Sequence, residues 1–112
     1  MTEKIADFAA TVRSDGQAVV IDLHGEINNR ADAALAAAYQ EVGQLNPTSI
    51  VLDFSQVDYI NSTGIALIVG LLALARAAHQ PLVAVGLSEH YREIFTITRL
   101  SDFMDIRYSC GP

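Results

Sequence analysis

The sequence predicts a single α/β domain built on one mixed, mostly parallel sheet with about three helices, in the order β-β-α-β-α-β-α-β. Three observations lead there. An Asp15-Gly16 pair between two β-leaning runs is a strong hairpin signal and makes the first strand antiparallel. Two short apolar runs, Ser49 to Phe54 and Leu82 to Leu87, have the pattern of buried strands. Segments with helical spacing separate the later strands, so the strands must be joined by crossovers and lie parallel. At 112 residues and 51% apolar, the chain suffices for one core and is too short to divide, so residues 1–112 are read as one domain.

Each element has a local reason. Phe8 to Arg13 and Ala18 to His24 are the hairpin strands, and Gly25 is expected to end the second. Asn28 or Asn29 is a good N-cap for a helix from about Arg30 to Gly43, where Ala34, Leu35, Ala38, Tyr39 and Val42 recur at helical spacing and Asn46-Pro47 follows as a stop. Ser49 to Phe54 reads as a central strand covered on both faces. A polar turn then leads into a second, strongly apolar helix that begins at Ser62, reaches about His79 and is closed by Gln80-Pro81. After the strand Leu82 to Leu87, Ser88 caps a third helix carrying Tyr91, Ile94, Phe95, Ile97 and Thr98. Met104 to Tyr108 alternates enough to be the last strand.

Composition narrows the function. A net charge of -6 argues against a nucleic-acid binder, which needs a basic face for phosphate contacts, and favours a basic partner surface. The lone Cys110 makes neither a disulfide framework nor a metal spacing, which fits a reducing cytoplasm. The opening MTEKIADF has no apolar run and does not read as a signal peptide. The run Ile65 to Ala75 falls short of the roughly 20 residues a membrane span needs, so no membrane insertion is expected. His24, His79 and His90 are unrelated in spacing and suggest no metal site. There is no Gly-rich phosphate loop followed by Lys and no arguable Ser-His-Asp set, so no enzymatic activity and no cofactor are expected.

Open α/β sheets place functional residues beyond the carboxyl ends of their strands. Two loops qualify: Gly25-Glu26-Ile27-Asn28-Asn29, and Ser55 to Gly64, which sets the Ser62 hydroxyl at a helix start where backbone N–H groups and the dipole favour a phosphate. Ser62 could equally be an ordinary N-cap. Asn28 and Asn61 could be turn and cap residues, and Glu26 and Asp53 could hold loops by backbone hydrogen bonds. On the second helix, Ala66, Gly70, Ala73 and Ala77 form a small-residue stripe with Ile65 and Val69 at its edge, while the large residues Leu67, Ile68, Leu71, Leu72 and Leu74 are expected to cover the sheet. The stripe suits a partner's close approach, or packing against a neighbouring helix of the same domain.

The residues Asp53, Ser55, Val57, Asn61, Ser62, Thr63 and Gly64, with the earlier Leu23, Gly25, Glu26 and Ile27, form two motifs in the right order on the right elements, and through them the chain resembles the STAS domain family of anti-sigma factor antagonists. The resemblance covers nearly the whole length. It implies a non-enzymatic module that binds an anti-sigma factor which is also a serine kinase, frees the sigma factor, and is switched off by phosphorylation of Ser62, with a serine phosphatase as the reset. A phosphoserine adds about -1.5 to -2 charges, enough to disrupt a close-packed apolar interface. The implied partner surface comprises Asn28, Asn61, Thr63, Gly64, Ile65, Ala66 and Val69. Phosphorylated members often carry Asp at the positions of Asn28 and Asn61; here both are neutral amides that donate as well as accept hydrogen bonds. Two alternatives stand beside this reading: a STAS scaffold subunit of a stress-signalling or transporter-associated complex without a phosphorylation cycle, and a small-molecule or lipid sensor using the Asn28/Asn61 pocket.

Overall fold

The hairpin forms where Asp-Gly punctuates the chain. In the computed structural model, which describes residues 8–107, β1 (Ala9–Asp15) and β2 (Ala18–Ile27) pair antiparallel from Ala9↔His24 to Asp15↔Ala18. Gly16 takes the left-handed conformation, φ 67°, that a two-residue loop of this kind requires. Gly25 does not end β2. It sits inside the strand at φ 89°, next to a register shift that lets Glu26 and Ile27 continue to pair, opposite Tyr59 and Ile60.

The same pairing lengthens the next strand. β3 (Ser49–Ile60) runs twelve residues, so Ser55 to Ile60 is strand where a turn is expected from its polar residues. The extension exists because β2 offers a continuing ladder, a partner with no local signature in Ser55–Ile60 itself. Between the two strands, a 3-10 turn at Asn29–Ala31 precedes α1 (Asp32–Leu45), and Asn46 ends it in the left-handed conformation.

α2 (Ser62–Ala77) stops two residues short of His79, which itself adopts a left-handed φ of 59°. β4 (Leu82–Val85) is shorter than the apolar run, because Gly86 at φ 76° turns the chain away before the buried Leu87. α3 (Glu89–Ile97) begins as its sequence predicts, with Ser88 Oγ accepting from the Tyr91 N–H at 3.2 Å. A 3-10 turn at Leu100–Asp102 leads to β5 (Asp105–Arg107). Tyr108, expected in that strand, and Cys110 lie outside the described residues.

The strands lie in the order β1-β2-β3-β4-β5, antiparallel at the first pair and parallel thereafter. Each crossover steps one strand in the same direction, and right-handed crossovers then place the helices on one face. The core agrees with that placement. Ile21, Leu23, Ile50, Leu52, Phe54 and Ala84 of the sheet join Leu35, Val42, Ile68, Leu72 and Phe95 of the helices in one buried cluster. Phe95, with no exposed surface, meets Phe54 edge-on at 5.9 Å and 87°. On the opposite face of β3, Val51 and Asp53 are only half-buried, so the central strand is not covered on both faces as its apolar run suggests.

Candidate functional site

The chain leaves β2 and β3 in the same way, one strand apart. Ile27 pairs with Ile60, and the Asn61 N–H donates to the Ile27 carbonyl at 3.2 Å, which locks the two loops together at the carboxyl end of the sheet. Each strand then ends in an asparagine that caps the following turn. Asn28 Oδ1 accepts from the Arg30 N–H at 2.9 Å, and Asn61 Oδ1 accepts from the Gly64 N–H at 2.8 Å. The cap of α2 is therefore Asn61 and not Ser62. Among the described residues, nothing hydrogen-bonds to the Ser62 hydroxyl or to either asparagine Nδ2. Ser62 stands exposed in the first turn, next to Asn61 and one strand over from Asn28, two amides whose oxygens are engaged and whose N–H donors remain available.

Gly64 explains why this closure is possible. It is buried, and a Cβ built there would collide with the Ile27 carbonyl oxygen and lie 2.7 Å from the Ile27 carbonyl carbon. Its expected place on the partner surface is thus corrected: Gly64 faces β2 and lets α2 begin directly against it. Asp53 braces β3 where its register against β2 shifts, with Oδ1 accepting from the Ser55 N–H at 2.9 Å. Gly86 packs on the same stretch of strand, where a Cβ would stand 2.7 Å from the Ser55 nitrogen. Ile60 is buried, while its neighbour Tyr59 is 52% exposed.

The outer face of α2 continues from Ser62. Thr63, Ala66, Val69, Gly70, Ala73 and Ala77 are all exposed, Ile65 is half-buried, and Arg76 is the one charged residue in the helix. Arg76 lies over the Phe103 ring at 4.6 Å, at the end of the helix remote from Ser62. Ile68, Leu71 and Leu72 cover the sheet as expected; Leu74 does not, being 54% exposed. Of the small-residue stripe, Gly70 lines a cleft of about 280 Å³ with Leu35, Ala36 and Tyr39 of α1 and Leu67 and Leu74 of α2. Elsewhere the stripe is open to solvent.

Chemically the first turn of α2 presents two exposed hydroxyls without hydrogen-bond partners among the described residues, Ser62 and Thr63, and no charged group. Among the described residues no polar side-chain atom is buried without a partner, no group of three or more His, Cys, Asp or Glu could hold a metal ion, and no helix is long and apolar enough to cross a membrane. Tyr91 is a site feature that sequence reasoning missed. From the first turn of α3 its hydroxyl accepts from the Ile60 N–H at 2.9 Å and donates to the Ile60 carbonyl at 3.3 Å, immediately before the Asn61 cap. Only the Ser88-x-x-Tyr91 spacing hinted at a fixed tyrosine, and nothing in it pointed to Ile60.

Comparison with known proteins follows the same lines. The anti-sigma-F factor antagonist RsfB of Mycobacterium tuberculosis is 28% identical over 102 residues, covering 80% of this chain and 84% of that protein. An anti-sigma-B factor antagonist of Listeria monocytogenes is 38% identical over 56 residues, 50% of this chain and 49% of its own. The anti-sigma factor antagonist SpoIIAA in its unphosphorylated form shares the fold, with a TM-score of 0.70 at 20% identity over 90% of this chain and 89% of that chain. Its phosphorylated form from Bacillus gives a TM-score of 0.67 at 23% identity over 88% and 91%. A family model described as "Mlab, STAS domain" matches residues 10–107, and with the five-stranded fold around it the chain belongs to the STAS domain family.

Proposed function

We propose that this protein is an anti-sigma factor antagonist: it binds an anti-sigma factor that is also a serine kinase, so releasing a sigma factor, and is switched off when that kinase phosphorylates Ser62. The observation that carries the reading is the division of labour at the start of α2. Asn61 does the capping, so the Ser62 hydroxyl is exposed and uncommitted at the head of an uncharged helix face. A kinase can dock on that face and reach the hydroxyl, and the phosphate, once added, places about two negative charges on the surface that the partner must desolvate. The relatives' names support the antagonist role. The partner surface is Asn28, Asn61, Thr63, Ile65, Ala66 and Val69 around Ser62; a serine phosphatase resets the switch, and the setting is the cytoplasm. The protein acts by binding and not by catalysis.

The test is phosphorylation in vitro by the cognate kinase, taken as the ATPase-domain protein that co-purifies with the chain. One phosphate should appear on the wild type and none on Ser62→Ala. An equal mass increment in Ser62→Ala would overturn the assignment.

A second reading is favoured by the two asparagines. Where phosphorylated members often carry carboxylates, this site presents only neutral amides, as a STAS scaffold subunit without a phosphorylation cycle would. Sedimentation of the purified protein separates the two: stable large assemblies favour the scaffold, and a monomer or dimer that binds the kinase favours the switch.

A further inference from the structure

β3 outruns its neighbour on one side. The last β3–β4 register pair is Asp53↔Val85, after which Gly86 turns β4 away, yet β3 continues to Ile60 with β2 as its partner on the other flank. At the far end of that overhang the Tyr91 hydroxyl meets both backbone polar groups of Ile60, accepting from its N–H and donating to its carbonyl. Tyr91 is itself held from two sides: Ser88 Oγ accepts from its N–H at 3.2 Å, and the His90 ring lies 4.9 Å from its own at 65°. Ile60 precedes the Asn61 cap, and Asn61 precedes Ser62.

We propose that Tyr91 is the positioning residue of the Ser62 loop: its hydroxyl stands in for the missing strand at Ile60 and so sets where Ser62 presents its own hydroxyl. The inference rests on the phosphoacceptor reading above. Tyr91 makes no hydrogen bond to Ser62 or to the docking residues of α2, so it acts through the backbone of Ile60 and Asn61. A buried-edge strand end whose N–H and carbonyl lose their only side-chain partner must find water or move, and a small displacement of a reacting group lowers the chemical step more than the binding step.

Tyr91→Phe removes the hydroxyl and keeps the ring. With the co-purifying kinase and ATP, kcat for Ser62 phosphorylation should fall on the order of tenfold while KM stays within about twofold. Amide hydrogen exchange should quicken by about tenfold at Ile60 and Gly64 but not at Ile21 and Leu52 in the core. Ser88→Ala loosens the Tyr91 backbone yet retains the hydroxyl, and should leave kcat within about twofold of wild type. An unchanged kcat in Tyr91→Phe, a uniform rise in exchange across the core, or an equal loss in Ser88→Ala would each overturn the positioning role. If the wild type takes no phosphate on Ser62, the proposed function falls, and the exchange data judge Tyr91 alone: unaltered protection at Ile60 then overturns it.

Discussion

Two glycines in α2 should respond to the same substitution in opposite directions. In a helix interior, replacing Gly by Ala ordinarily stabilises by about 1 kcal/mol through propensity and the lost freedom of the unfolded chain. Gly70→Ala should show that gain, because its Cβ would meet nothing within 4 Å. Gly64→Ala should not. Its Cβ would overlap the Ile27 carbonyl oxygen, and backbone on both sides must shift to admit it, since neither neighbour is the far end of a flexible side chain. Such overpacking costs about 1–3 kcal/mol. The shift would also stretch the 2.8 Å cap bond from Gly64 to Asn61, and losing a cap costs about another 1 kcal/mol. After the propensity gain, a net loss of about 1–3 kcal/mol remains. Urea denaturation followed by circular dichroism reads both variants directly. The midpoint should fall for Gly64→Ala and rise for Gly70→Ala, with the m-value unchanged in each. A Gly64→Ala variant as stable as wild type would refute the direct seating of α2 on β2, and with it the account of how Ser62 is placed.

Three outcomes bear on the site itself. Asn61→Asp keeps an equally good cap and puts a carboxylate at the positive end of α2, so the unmodified protein should gain up to about 1 kcal/mol. Phosphorylation of Ser62 should then shift the melting temperature less favourably in Asn61→Asp than in wild type, because two anions share the helix start; equal shifts would refute coupling between residue 61 and the phosphate. Val69→Glu, on the exposed face of α2, should leave stability within about 0.5 kcal/mol and weaken binding of the anti-sigma kinase by about tenfold or more. Unaltered affinity by calorimetry would remove this face from the docking surface. Ser62→Asp should weaken the same binding, and an affinity equal to wild type would count against charge as the off signal.

Much of the fold was legible because its signals are local. The Asp15-Gly16 turn, the Ser88 cap and the apolar runs of β3 and β4 each act within a few residues, so element order and sheet type followed from the sequence. The motif around Ser62 was legible for the same reason: a strand, a polar interval and a helix start are contiguous. The strand lengths were not, since Gly25 and Ser55–Ile60 are strand only by virtue of each other's ladder. Leu74 likewise looked like a sheet-covering residue by size, and only the placement of α1 beside α2 shows it outside, at the cleft.

By itself, then, the sequence determined the α/β class, the order of the elements, the family, and Ser62 as the hydroxyl at the start of α2. The tertiary structure alone decided that Asn61 caps that helix, that Gly64 faces β2 rather than a partner, and that Tyr91 holds the end of β3 from 31 residues away. The physical reason is range: capping preference and periodicity are properties of neighbours, whereas steric closure and a hydrogen bond across the fold exist only once remote segments have been brought into register.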